Sequence, residues 1–464
     1  MRHHELVIIG GGPAGLAAAA RAAQAGVEAL LIDEQATPGG QIYRAVGTIP
    51  EQRAALLGSD YQYGVTLLEQ FQASGAAYLP NTTLWNLTGQ RELGILHNGQ
   101  ASRMTANRVI IASGAMERPV PFPGWTLPGV MTAGAGQILM KSSGIVPKAG
   151  VVLAGSGPLL LLLAWQYMRA GVKIHGVLEM APAANFWQAL PYLPGALLAH
   201  HYILKGLRYQ LALKKAGVKF YKHVSSLRAL GSDSIEAVEF VQRQKTRRIE
   251  TPLLLTHFGV IPDNHLSRCA GCEHYWDNKQ LCWRPLKDEW GNSSIAGIAI
   301  VGDGSGIGGA VAARHAGYIA GVESARALGR IDEKQRDETA REDQRWMHED
   351  LRVRPFLEAL FRPPAALLQQ PDDETLLCRC EEITAGDIRR AIREGHDDSN
   401  QIKFLTRCGM GPCQGRQCDS AVSQLLAHEL NKTMDDVGAY RIRPPIRPLT
   451  LAQLAALDEG SVAE

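Results

Sequence analysis

Five of the chain's eight cysteines fall within residues 378–418. They are arranged as Cys378-x-Cys380, an interval of thirty-two residues, then Cys413-x4-Cys418, with Cys408 between the pairs. Thiolates so grouped hold metal: four cysteine sulfurs ligate an iron–sulfur cluster, and N–H donors beside them tune its potential. Gly409, Gly411 and Gly415 supply free backbone there. Zinc is the rival, but it usually asks for C-x2-4-C pairs, and C-x-C is an awkward bite for one tetrahedral ion. Cys413 stands before a predicted helix and Cys418 one turn inside it, so both reach one site. Cys408 is the spare on this reading, although spacing alone leaves the choice of four open.

A second set of residues belongs to phosphate chemistry. Residues 6–9 are apolar and run into Gly10-x-Gly12-Pro13-Ala14-Gly15, an alanine-rich helix and a second apolar run ending in Asp33 and Glu34. In such a unit Gly10 permits the turn, Gly12 lets backbone approach a pyrophosphate, and Gly15 lets helix and strand pack closely. The pyrophosphate sits on the positive end of the helix, and the strand-end carboxylate faces a ribose. Gly40 and Gln41 follow in a turn just past that acid. Residues 108–114 (RVIIASG) are a buried strand ending in Ala112 and Gly114, similar to a flavin-approaching segment of two-dinucleotide-domain flavoproteins. Residues 298–304 (IAIVGDG) place Gly302 and Asp303 at another strand end, where glutathione-reductase-like flavoproteins bind the ribityl chain of FAD. Both ends together point to FAD.

A repeat of the unit begins at Gly150, with Gly155-x-Gly157 but Leu160 where a third glycine belongs, and Glu179 as the strand-end acid. Its fold is well supported; NAD(P) binding there is doubtful, because leucine forces wider packing. Cys269-x-x-Cys272 and Cys282 read as unmetallated thiols, and His265, His274 and His315 as structural.

The elements that position these residues follow. The reading is α/β: two Rossmann-like dinucleotide-binding domains of glutathione-reductase type plus a small helical [2Fe–2S] domain at the C-terminal end. The boundaries are 1–117 and 256–330 for the FAD-binding domain, 118–255 for the NAD(P)-binding-like domain, 331–374 for a helical linker, 375–432 for the cluster domain and 433–464 for a tail. In the cluster domain Thr384 and Asp387 predict a capped helix whose Ile388, Ala391 and Ile392 share a face, with Gly395 as its stop. A module this small needs a staple. Lys and Arg number 48 against 46 Asp and Glu, so no field recruits nucleic acid. No apolar run reaches the roughly eighteen residues of a membrane span, and the amino-terminal residues lack a signal-peptide layout, so a cytoplasmic location is expected. The basic run at 243–248 reads as a solvated hairpin edge.

The segments GGGPAGLAAA, LIDE…PGGQIYR, RPVPFPGWTLPGV, LAGSGPLL, VGDGSGIGGA and CRCEE…TRCGMGPCQGRQC resemble the α subunits of heteromeric, flavin-dependent amine and imino-acid dehydrogenases. That group includes the A subunits of opine oxidases, D-hydroxyproline dehydrogenase α subunits and the flavoprotein subunit of hydrogen cyanide synthase. The cysteine module resembles bacterioferritin-associated ferredoxin, which implies a [2Fe–2S] cluster on Cys378, Cys380, Cys413 and Cys418. The resemblance implies a partner β subunit, itself a flavoprotein, that oxidises the C–N bond, and leaves room for a small ferredoxin-like subunit. It implies that this chain passes electrons onward, with peripheral membrane attachment through its acceptor as one arrangement. The alternatives are a self-sufficient NAD(P)H:acceptor oxidoreductase and the corresponding member of a glycine-oxidising, cyanide-forming complex.

Overall fold

The computed structural model describes residues 1–459. The chain forms two compact units, the first made of residues 1–116, 261–351 and the chain from 442 onward, the second of 117–260 and 352–441.

The first unit is built on a sheet ordered Ala77–Leu79, Ala29–Ile32, Arg2–Ile9, Gln100–Ile111, Glu92–His97, Thr82–Leu87, with Ile298–Ile300 also on Gln100–Ile111. Arg2–Ile9 pairs in parallel with Ala29–Ile32 on one side and Gln100–Ile111 on the other. Strands covered on both faces read as unbroken apolar runs, and Leu6, Val7, Ile8, Val109, Ile110 and Ile111 are fully buried. Small residues let two helices close over the sheet. Gly317 and Gly321 of Ala310–Ala327 lie directly on Ala14 and Ala18 of Pro13–Gln24.

The helix Glu333–Leu351 docks on this unit rather than serving as the linker expected over 331–374. Its Ala340 is fully buried, its Asp343 faces the His315 ring at 2.7 Å, and its Arg336 pairs with Glu323 at 3.2 Å. A charged stretch thus docks through one small buried residue and matched ion partners.

The second unit holds a parallel sheet ordered Phe220–Lys222, Ile174–Glu179, Val151–Gly155, Leu254–His257, Val130–Thr132. A separate antiparallel meander follows, Val224–Leu230, Ala237–Gln242 and Lys245–Glu250, whose last hairpin carries the exposed 243–248 run. The cysteine module lies in the same unit. Thr384 and Asp387 make the reciprocal capping box of Ala385–Arg393, and Ile388 and Ala391 are buried beneath it. Val437 and Tyr440 are in the module's core, so it runs beyond the expected limit of 432. The Trp125 indole N–H donates to Leu376 O at 2.7 Å, tying the module to the proline-rich 119–128 segment.

A cradle of three strand ends and a buried thiol cluster

In the first unit three segments converge on one point. Gly10 (φ +105°) leaves its strand with its Cα against the carbonyl of Ala112, and Ala112 N–H donates to Ile9 O at 2.8 Å. A side chain on Gly15 would overlap the Gly10 carbonyl oxygen, so the third glycine is needed for helix–strand contact. Gly302 abuts the Ala14 side chain, and Gly304 abuts Ser113 Oγ and Gly114. The residues expected from distant parts of the sequence therefore share one floor. Gly12 is different: only Gly40 Cα comes within 4 Å of where its side chain would be, at 3.9 Å. The N-terminus of Pro13–Gln24 carries neither a side-chain cap nor an acid in its first turn. Its free N–H groups and helix dipole suit a phosphate.

The acids organise this floor. One Asp33 oxygen accepts from Gly11 N–H and the other from Gln35 N–H at 2.7 Å. Burial pushes its carboxyl up, against the pull of those two donors. Glu34 points outward and pairs with Arg447 at 2.9 Å. Asp303 Oδ1 accepts from both Gly308 and Gly309 N–H at 2.8 Å, holding the glycine loop ahead of Ala310–Ala327. Gln41 is exposed in the turn after Gly40. These donors and acceptors, with an open second glycine, fit a dinucleotide's pyrophosphate and sugar hydroxyls.

The repeat unit is less open. Gly157 (φ +124°) faces His257, and a side chain there would stand 2.9 Å from Nε2. His257 Nδ1 bonds Glu117 at 2.7 Å, and Glu117 in turn accepts from Gly134 N–H at 2.6 Å. Leu160 is buried where the third glycine would be. A cleft nevertheless remains at the strand ends, lined by Gly155, Ser156, Glu179, Lys214 and Lys222 among others, and Ser156 Oγ is buried there without a hydrogen-bond partner.

The cysteines separate into two groups. The sulfurs of Cys378, Cys408 and Cys418 lie within 4.8 Å of one another, all buried. Cys380 and Cys413 stand next to each other, apart from that triad. Gly411 lies so close to Cys380 Cβ that any side chain would collide with it. Sulfhydryl donors from Cys408 and Cys418, then the N–H groups of Gly409 and Glu381, hold the Cys378 thiol far below its ordinary value. The contact with Cys378, first, and then burial push Cys408 and Cys418 up. Cys378 alone is thereby favoured as thiolate, the form that binds metal. A cluster of buried sulfurs served by backbone N–H groups fits an iron–sulfur centre.

Cys408, the spare by spacing, lies inside the buried triad, because Arg407 (φ +62°) ends Ser399–Thr406 and turns the next residue inward. One expectation changes. Cys418 is the N-cap residue of Asp419–Glu429, not one turn inside it, and Cys413 lies in the preceding loop.

Tyr440 was not apparent from the sequence. Its ring covers Gly409 and Gly415, it is 1% exposed, and its hydroxyl faces Cys408 and Cys418. Nothing in its spacing from Cys418 signals this, since the contact is made by the chain folding back. Cys269 faces Asn86 and Cys272 faces Ser293, and burial pushes both up. Burial holds His274 down to about 4, hence neutral.

Comparison with known proteins agrees with this layout. Residues 4–317 match the pyridine nucleotide-disulphide oxidoreductase family, and residues 373–458 match the sarcosine oxidase A3 domain. The chain is 40% identical to the A subunit of opine oxidase from Agrobacterium tumefaciens, over 98% of this chain and 92% of that one. It is 32% identical to hydrogen cyanide synthase subunit HcnB of Pseudomonas protegens, over 98% of each. In fold it is similar to L-proline dehydrogenase from P. horikoshii, with a TM-score of 0.71 at 18% identity, covering 97% of this chain and 79% of that one. The chain is a flavin oxidoreductase of the pyridine nucleotide-disulphide oxidoreductase family, and belongs with the heteromeric flavoprotein α subunits related to that of opine oxidase.

Proposed function

We propose that the chain is the FAD- and [2Fe–2S]-carrying electron-transfer subunit of a heteromeric dehydrogenase that oxidises a secondary amine or imino acid of D-hydroxyproline or opine type. The observation that carries the reading is the pairing, in one polypeptide, of a dinucleotide cradle with a buried cluster of cysteine sulfurs. Bound FAD accepts electron pairs and releases them singly, and a [2Fe–2S] centre carries one at a time. Toward FAD, Gly12 and the Pro13–Ala14 helix start receive the pyrophosphate, Asp33 the adenosine ribose, and Asp303 with Gly302 the ribityl hydroxyls. Ala112 and Gly114 let backbone reach the ring system; Glu34, Gly40 and Gln41 border the entrance.

Cys378 and Cys418 anchor the cluster, with Cys380 and Cys413 as the remaining ligands by resemblance. Cys408 supports them from inside the triad. The substrate site lies on a flavoprotein β subunit, and a small ferredoxin-like subunit completes one version of the complex. Electrons leave to an acceptor other than oxygen. Among the described residues no helix is long and apolar enough to cross a membrane, so a membrane-borne acceptor would be met peripherally.

The chain is purified alone and with its native partner, and amine-dependent dye reduction is measured with iron, sulfide and flavin content. Turnover is expected only in the complex, and robust turnover by the lone chain overturns its reading as one component of a complex. Cys413→Ser is expected to cut iron and sulfide severely; full iron retention reassigns that ligand to Cys408.

A second reading has its own support in the cleft of the repeat unit, where Ser156 Oγ lacks a partner and Lys214 and Lys222 supply charge. This is an NAD(P)H:acceptor oxidoreductase, and it requires that stoichiometric NADH bleach the flavin anaerobically.

A further inference from the structure

The chain's charges nearly balance, yet residues 180–222 contain Lys205, Arg208, Lys214, Lys215, Lys219 and Lys222 and no Asp or Glu at all. This stretch folds as Ala184–Ala189, Leu193–Leu198 and His200–Lys215. The last helix is apolar on two sides. Inward, Leu213 is fully buried and Tyr209 stacks on Trp165 at 4.7 Å. Outward, Leu204, Leu207 and Leu211 recur at helical spacing and are exposed. The preceding helix buries Ala196 against Val353 and exposes Leu197 and Leu198, the latter by 68%. On the helix before it Phe186 and Trp187 pair edge to face and are exposed, Trp187 by 71%. Such a run of exposed apolar side chains is not left to water without a purpose.

We propose that this face docks on an anionic lipid surface. The occupant follows from charge. Arg208, Lys214, Lys215 and Lys219 are exposed around the apolar side chains. On Arg354–Leu360, the helix packed behind, the single acid Glu358 is paired with Arg354. Protein interfaces are depleted in lysine at their cores, whereas leucine and tryptophan ringed by lysine and arginine is the composition of helices that lie in a membrane interface. Each exposed cation adds attraction to anionic headgroups that salt screens. The proposal deepens the peripheral placement given above by naming its surface. Lipid binding is measured without substrate or turnover, so the two fail separately.

The full chain with its bound cofactors is sedimented with vesicles of phosphatidylcholine containing a quarter phosphatidylglycerol, and with phosphatidylcholine alone. Binding to the anionic vesicles is expected to exceed that to neutral ones by about tenfold or more and to fall at high salt. Trp187→Ser with Leu198→Ser, and separately Arg208→Glu with Lys215→Glu, are expected to weaken it by a further tenfold or so, with circular dichroism and flavin absorbance unchanged. Three results overturn the proposal. Anionic vesicles fail to bring the chain down, or bind both variants as tightly as the unaltered chain. The chain dimerises through this face, with light scattering showing the Trp187→Ser, Leu198→Ser variant monomeric. Or the isolated chain sediments while its complex with the native partner does not, which makes the face an interface with that partner.

Discussion

The two glycine turns share a topology and differ at their floors. In the first, three glycines bring the helix onto the strand, Gly12 opens onto little but Gly40, and Asp33 is sealed in by two N–H donors. In the second, Leu160 fills the helix–strand contact, His257 and its Glu117 partner stand against Gly157, and Glu179 remains partly exposed. Strand order and crossover survive a glycine-to-leucine change because they depend on apolar strands and helix length. Close approach of backbone to a phosphate does not survive it so easily, because it depends on missing atoms at particular points.

The sharpest break in this contrast is Gly15→Leu, which copies the repeat's residue into the first turn. The new side chain overlaps Gly10's carbonyl, so loss of flavin absorbance and a destabilisation of about 3 kcal/mol or more are expected from chemical denaturation. The reciprocal change, Leu160→Ala, removes a buried side chain and should cost about 2–4 kcal/mol. It should leave the flavin spectrum intact; loss of flavin would mean that the repeat unit supports the first cradle. Next in size is Asp33→Asn, which leaves one of two buried N–H donors facing an amide nitrogen. A cost of about 1–3 kcal/mol and roughly tenfold weaker FAD retention are expected by flavin-release titration, while Glu179→Gln should change neither. The smallest effect is that of Ser156→Ala. Removing an unsatisfied buried hydroxyl should be neutral or stabilising by up to about 1 kcal/mol in thermal melts. A destabilisation that appears only with added NADH or NADPH would show that the second turn holds a nucleotide, and would erase much of the difference.

The first cradle was largely legible because each of its requirements falls on a residue type with one physical role: no side chain at Gly15, a carboxylate at Asp33, a turn at Gly302. The cysteine pocket was legible in composition but not in grouping. Five sulfurs in a short span mark the module in the sequence, but Arg407's left-handed turn decides that Cys408 joins Cys378 and Cys418. Tyr440 and the His257–Glu117 pair were invisible because their contacts span long sequence separations and neither residue carries a local pattern. The helix Glu333–Leu351 misled for another reason: its charges find partners in the fold instead of solvent.

By itself the sequence determined the α/β architecture, the repeated strand–turn–helix units and the flavin-oxidoreductase class. Those follow from hydrophobic period and from side chains, or their absence, at fixed local spacing. Tertiary structure alone decided which sulfurs meet, which glycine is left open and which apolar helix face is left outside. Each of those is a question of what distant chain occupies the neighbouring space, and local spacing does not encode it.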